Sequence, residues 1–214
     1  MITALRAFAL ATLTALPLIA AAPAHAETLP LDAAISSLPV AAEVRDGYQR
    51  ASFRHWIDAD RDGCNTRMEV LIAESRTTPV IESGCKVISG DWYSAYDGVT
   101  VTAPGGLDVD HMVPLAEAWD SGASSWTAQR RQDYANDLGA PNSLIAVTAK
   151  TNRSKADQDP AEWLPSRDVC DYTQMWVGTK LRWGLMTDAA EQNELRRLAE
   201  TCGPQTVEYT PVDE

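Results

Sequence analysis

Four cysteines, Cys64, Cys85, Cys170 and Cys202, are scattered along the chain without a single CxxC pair. This spacing constrains the fold more than any other feature. Zinc sites built from four cysteines draw their ligands from two close pairs, so a zinc-centred fold is disfavoured. Disulfides are the default use in an exported chain, because they need an oxidising compartment. The N-terminus supplies the route to one. Arg6, the uncharged run ALATLTALPLIAAA and the small-x-small site Ala24-His25-Ala26 form the three-part pattern of a secretory signal peptide over residues 1–26. A membrane anchor is the competing reading, but the apolar run is short for it. No later segment is apolar for long enough to span a bilayer, so a secreted, extracellular chain with no membrane association after cleavage is expected. Three pairings of the cysteines exist in principle. Cys64–Cys85 and Cys170–Cys202 are favoured because each closes a compact local unit, and both are read as structural bonds.

Residues 27–214 suit one domain with a real hydrophobic core, read as a monomer. Glu27 to Pro39 reads as a surface lead. Val44, Tyr48, Phe53, Trp56 and Ile57 approximate a helical period across 40–57. A second helix is expected from Thr66 to about Ala73. The character then changes: CKVISGDWYSAYDGVTVT is rich in β-formers, and Asp97-Gly98 between two strand-like pieces signals a hairpin. A short strand through Asp108 to Met112 follows, with Pro114 opening a helix that carries Leu115, Ala118 and Trp119. Another helix, capped by Ser124 or Ser125, is expected to run to about Leu138. Asn142 to Val147 reads as a strand and Ala149 to Lys155 as a short helix or turn. Two helices, Val169–Leu185 and Asp188–Ala199, would form a hairpin over about 167–202 stapled by Cys170 and Cys202.

The stretch LDVDHMVPL, residues 107–115, is the richest in chemistry. Beyond the leader only His55 and His111 are available as a base near neutral pH. His55 reads as a packed or surface residue of a helical stretch. In a strand, Asp108 and Asp110 point to one side and His111 to the other. A bend at the strand end would let Asp110 hold a cation while His111 takes a proton from water.

The ordered set D-x-D-H-x-x-P-L (Asp108 to Leu115), Asn-x-Leu (from Asn142) and Asn-x-x-Lys (Asn152 to Lys155) resembles the HNH nucleases. It is most similar to the branch related to the C-terminal domain of the GmrSD restriction endonucleases, and similar secreted proteins occur in actinobacteria. CNTRMEVL, CKVISGDWY and DPAEWLP extend the likeness over about residues 50 to 202. The resemblance implies an α+β fold with a ββα-metal core, a hairpin and helix gripping one divalent ion, within a core motif at 85–155. It implies Asp110 as a metal ligand, Asn152 as the second ligand, Asp108 as an accessory acid, His111 as the general base and Asn142 as the residue that orients it. Lys155 matches a basic position at the motif's end. The CxxC pairs with which classical members hold structural zinc are absent, so disulfides would replace their role. The implied reaction is hydrolysis of the phosphodiester backbone of DNA, with RNA open as a second substrate, largely without sequence preference and leaving a 5′ phosphate. Oxygen ligands suit Mg²⁺ or Mn²⁺.

Net charge tests that expectation. Thirty Asp and Glu against eighteen Lys and Arg leave the chain at -12, which argues against tight binding of a polyanion by the whole surface. Between Trp126 and Lys155, however, Arg130, Arg131, Lys150, Arg153 and Lys155 outnumber Asp133 and Asp137 by three. Arg130, Arg131, Arg153 and Lys155 are therefore candidate phosphate contacts. The bland alternative for Arg130 and Arg131 is a solvated helix face.

A second cation site is spelled by DADRDGCNTRME, residues 58–69. Asp58, Asp60 and Asp62 occupy positions one, three and five of a calcium loop, Gly63 position six and Glu69 position twelve, with Asn65 at position eight, where an apolar residue is usual. A structural Ca²⁺ or a bare acidic capping loop tied down by Cys64 both fit. The rival functions are a metal phosphodiesterase on a substrate other than nucleic acid, and a non-catalytic, calcium-stabilised binding module.

Overall fold

The computed structural model describes residues 25–213. The leader expected over 1–26 therefore lies outside the described residues, apart from its last two.

Two strands organise the site. β6 (Leu107–His111) pairs antiparallel with β7 (Leu144–Thr148), Asp108 opposite Val147 and Asp110 opposite Ile145. Helix α5 (Ala149–Lys155) leaves β7 with no intervening residue. Alternation along β6 and β7 sorts their side chains onto two faces. Leu107, Val109, Leu144 and Ala146 join one apolar cluster with Val70 and Leu71 of α2 (Thr66–Glu74). Ile145 and Val147 face the other, larger cluster, which runs from Leu31 to Val207. Asp108 and Asp110 share the second face, so the acids of LDVDH enter on the side of the main core. β7 is buried along its whole length, as a strand between two apolar layers must be.

The other elements brace this pair. β2 (Val80–Glu82) pairs with β3 (Lys86–Ser89), and β4 (Trp92–Tyr93) with β5 (Thr100–Val101). The β4–β5 connection carries Gly98 at φ 72°, the turn that Asp97-Gly98 predicts. Asp97 Oδ2 accepts from Thr148 (2.5 Å) and Thr151 (2.6 Å), tying that turn to the start of α5. α3 (Leu115–Asp120) follows Pro114 and is entirely buried. α6 (Val169–Trp183) and α7 (Ala189–Cys202) form the expected helical hairpin. The disulfides are Cys64–Cys85 and Cys170–Cys202, the favoured pairing. No helix among the described residues is long and apolar enough to cross a membrane.

Three expectations fail. The helical period across 40–57 yields only a 3-10 turn at Arg50–Ser52; Phe53 is buried in the core and Tyr48 and Trp56 pack against it from non-helical backbone, while Val44 is exposed. The helix expected from Ser124 or Ser125 begins later: Ala123–Ser125 is a 3-10 turn, and Thr127 caps α4 (Ala128–Ala135) by accepting from the Arg130 N–H at 3.1 Å. The surface lead is structured too. β1 (Glu27–Pro30) pairs with β8 (Thr206–Tyr209), and α1 (Leu31–Ser37) buries Leu31, Ala34 and Ile35.

Candidate active site

Asn152 and Lys155 lie three residues apart on α5 and so share a face. That face meets the acid side of β6. Lys155 Nζ donates to Asp110 Oδ2 at 2.5 Å and to the carbonyls of His111 (3.0 Å) and Met112 (2.8 Å). Tyr96 donates to the same Asp110 oxygen at 2.7 Å. One residue pair further along, Asn152 Nδ2 approaches Asp108 Oδ2 at 3.4 Å, and Arg153 Nε lies 3.4 Å from that oxygen.

Lys155 is 0% exposed. Its three acceptors exhaust the donors of an ammonium, so it is a buried brace between α5 and β6 rather than the phosphate contact expected of it. Burial pushes the Asp110 carboxyl up and the Lys155 ammonium down, while their close contact opposes both effects. Asp110 is bonded through Oδ2 alone, and Oδ1 has no hydrogen-bond partner among the described residues. A half-satisfied carboxylate at a pocket wall has a ligand atom to give. The Asn152 amide likewise engages through its nitrogen, leaving its oxygen unbonded. These are hard oxygen donors of the kind Mg²⁺ and Mn²⁺ take.

His111 projects from the opposite side of β6. Its ring stacks against Trp56 (centroids 5.4 Å apart) and Tyr134 (6.2 Å), and Nε2 lies 3.0 Å from the Ala135 carbonyl. Ala135 is the last residue of α4, where carbonyls lack helical partners. A carbonyl only accepts, so Nε2 carries the proton and Nδ1 keeps its lone pair. Burial lowers the ring's pKa to about 3; the Ala135 carbonyl opposes the shift, while Arg50, His55 and Lys155 add to it. The imidazole is therefore neutral at physiological pH. Trp56 covers it from a left-handed backbone, φ 59°, a conformation that costs a non-glycine residue about 1–2 kcal/mol.

The strand end brings both sides together. Asp110, His111, Asn152 and Arg153 line one open pocket, joined by Arg50. Asn142 does not reach it. It is exposed in the turn before β7, and the orienting contact expected of it falls to the Ala135 carbonyl. Arg130 and Arg131 are also spent elsewhere. Arg130 donates to the carbonyls of Asp213 (2.6 Å) and Trp183 (3.2 Å), and Arg131 to those of Trp126 (2.5 Å), Ala123 (3.2 Å) and Ser52 (3.3 Å). They latch backbone segments together. Arg153 alone of the four expected cations is exposed at the pocket. Sequence reasoning missed Arg50, Trp56 and Tyr96, which share no spacing with the motif. His55, with Nδ1 at 3.0 Å from the Phe53 carbonyl, sits 6.5 Å from the His111 ring in an irregular segment rather than a helix.

Groups of side chains able to coordinate a divalent ion are present. In the 58–69 loop, Asp58, Asp60 and Asp62 each bring an oxygen to within 4.8 Å of the others, all exposed. Glu69, expected at position twelve, lies in the first turn of α2 outside this converging group; burial, then Asp60, Asp62 and Asp58, raises its carboxyl. Asn65 is not available as a ligand through its oxygen, which caps α2 by accepting from the Met68 N–H at 3.1 Å.

The model of the C-terminal domain of GmrSD restriction endonucleases matches residues 66–198, from the first residue of α2 to late in α7. The chain belongs to this family. The GmrSD C-terminal match contains β6, β7 and α5 whole, but Arg50, Trp56 and the acids at 58–62 precede it. A relative from Arthroderma benhamiae, described as an uncharacterized secreted protein, is 43% identical over 160 residues, covering 74% of this chain and 77% of the relative. No solved structure matches the chain.

Proposed function

We propose that this protein is a secreted, metal-dependent endonuclease of the HNH type, hydrolysing phosphodiester bonds of DNA, and of RNA where it fits the pocket, with little sequence preference. In this reading 27–214 is one monomeric domain, β6, β7 and α5 are its ββα-metal core, and the secreted relative supports export. The observation that carries it is the meeting of a neutral, carbonyl-oriented imidazole, a half-satisfied carboxylate and two exposed arginines, Arg50 and Arg153, in one open pocket.

The roles follow from what each atom has left to offer. Asp110 Oδ1 and the Asn152 amide oxygen would hold one Mg²⁺ or Mn²⁺, with Asp108 behind Asn152. The bound ion supplies charge stabilisation for the phosphoryl oxygens and the leaving 3′ oxygen. His111 accepts the proton of the attacking water at Nδ1, and its Nε2–H stays on the Ala135 carbonyl, keeping the ring oriented as it becomes charged. Arg50 and Arg153 contact the phosphates flanking the scissile bond. Lys155 and Tyr96 hold Asp110 in place. The 58–69 loop serves as a structural Ca²⁺ site, with none of its residues lining the pocket.

The test is digestion of supercoiled DNA and structured RNA with EDTA, then with Mg²⁺, Mn²⁺, Ca²⁺ or Zn²⁺ restored, using wild-type protein and His111→Ala. Cleavage should need added metal and fall by about two to four orders of magnitude in the variant, the usual contribution of a general base. Equal rates for the two proteins would remove His111 from the mechanism. Hydrolysis confined to small diesters would make the protein a phosphodiesterase of another class.

A further inference from the structure

A separate set of carboxylates crowds α3. Glu117 and Asp120, one helical turn apart, and Glu43 from the preceding loop each bring one oxygen to within 4.8 Å of the others. Glu117 is only 2% exposed and Asp120 3%. The neighbouring cations are already divided. Lys180, itself fully buried, is shared between Glu117 (2.9 Å) and Glu191 (2.6 Å). Arg45 is shared between Asp120 (2.5 Å) and Asp157 (2.6 Å). Two positive charges thus serve four carboxylates, and Glu43 adds a fifth with no ion pair of its own among the described residues.

An independent observation points into the same cluster. Oδ1 of Asp120 is buried and has no hydrogen-bond partner. Oδ2 is committed to Arg45, so Oδ1 is the oxygen that Asp120 has left for the cluster. Glu117 also has an oxygen to give: Ser121 and Lys180 both donate to Oε1, and Oε2 accepts no hydrogen bond among the described residues. Buried polar atoms are almost always satisfied, and a bare buried carboxylate oxygen is costly. Oxygens within 4.8 Å of one another can share one ion, since calcium–oxygen distances are about 2.3–2.6 Å.

We propose that Glu43, Glu117 and Asp120 form a second cation site for a hard divalent ion of calcium's class, which pins the loop before Arg45 to α3. The donor set is all carboxylate oxygen, and one ligand comes from an exposed, irregular loop. That suits calcium's tolerant geometry better than the strict octahedron of magnesium. The site shares no residue with the 58–69 loop or with the pocket at β6, and it stands whether or not the protein is a nuclease.

The experiment is equilibrium dialysis of the full disulfide-bonded protein against radioactive calcium at neutral pH. Asp60→Asn with Asp62→Asn disables the 58–69 loop. Glu43→Gln is added to that background, because Glu43 is exposed and its replacement leaves the core intact. Asp120→Asn is tested in parallel. The loop-disabled protein should retain a saturable calcium ion, and Glu43→Gln and Asp120→Asn should each weaken it at least tenfold. No calcium bound by the loop-disabled protein overturns the proposal, and so does residual binding that Glu43→Gln and Asp120→Asn leave unchanged.

Discussion

Two buried aspartates with nearly equal exposure, Asp110 at 6% and Asp137 at 7%, have opposite fates. Asp137, in the turn after α4, is satisfied on every side. Arg182 grips both oxygens, at 2.7 and 2.8 Å, while Ser143, Trp183 and the Gly139 N–H complete the shell. Burial alone would raise its carboxyl, but Arg182 and Ser143, with Trp183, hold it below the usual range. Asp110 has one oxygen gripped and one bare, and its carboxyl is raised by burial in spite of Lys155. The difference separates scaffold from site. A carboxylate whose bonds are all made inside the chain can only hold the fold, whereas one left half-made beside a pocket can still take a cation.

The sharpest way to break that contrast is at Lys155. Lys155→Met strands Asp110 without its cation and should cost about 3–5 kcal/mol, the usual result of breaking a buried pair from one side. Urea unfolding measures it. A variant that keeps full stability but binds nucleic acid weakly would return Lys155 to the phosphate-contact role. Asp137→Asn should cost about 3 kcal/mol for the same reason, with the rate per folded molecule unchanged. Its pH dependence has a definite sign. Because the folded-state pKa of Asp137 is depressed, its contribution is complete above the unfolded carboxyl value of 3.8 and is lost as pH falls through the lower folded value. The stability gap between wild type and Asp137→Asn should therefore be widest near neutrality and close in strong acid. A gap that widened on acidification would refute the assignment.

The contrast also explains what was legible in the sequence. Alternation in LDVDH placed both acids on one face, the Asn-x-x-Lys spacing placed their partners on one face of a helix, and the cysteine spacing allowed the correct disulfides. Roles that depend on distance along the chain were not legible. Nothing in the motif says that Lys155 points inward, because a lysine at the end of a short helix reads as solvated until the core closes over it. Asn142 stands next to β7 in sequence, yet the carbonyl that orients His111 comes from the end of α4, and any residue type can supply a carbonyl. Arg130 and Arg131 formed a basic pair on paper; both are spent on backbone carbonyls from segments far apart in sequence. Arg50 reaches the pocket from a single 3-10 turn, and Trp56 reaches the His111 ring from irregular backbone, where apolar spacing suggested one helix. Periodicity cannot distinguish side chains aligned by a helix from side chains turned inward one at a time.

A gentler effect is expected at the 58–69 loop, where three exposed carboxylates converge. Saturating Ca²⁺ should raise the melting temperature, by an amount worth about 2.7 kcal/mol at a hundredfold excess over the dissociation constant. Asp60→Asn with Asp62→Asn should abolish the loop's share of that gain while leaving metal-dependent cleavage intact. Loss of cleavage in this variant would mean that the loop belongs to the catalytic centre.

The smallest effect discriminates among the arginines. Arg50 is exposed and lines the pocket, whereas Arg130 is held by Trp183 and Asp213. If Arg50 touches a phosphate, Arg50→Ala removes one released counterion. The logarithmic salt dependence of DNA affinity should then become shallower by about 0.9, the value for one phosphate on duplex DNA. Affinity at moderate salt should fall about tenfold, equivalent to roughly 1.4 kcal/mol. Arg130→Ala should lower stability and leave the salt slope alone, because its guanidinium is held by the Trp183 and Asp213 carbonyls and does not line the pocket. The two variants remove the same charge from the same acidic chain, so net charge cannot explain a difference between them. If both flatten the slope equally, the pocket at the end of β6 has no privileged contact with the backbone, and binding is a property of the whole surface.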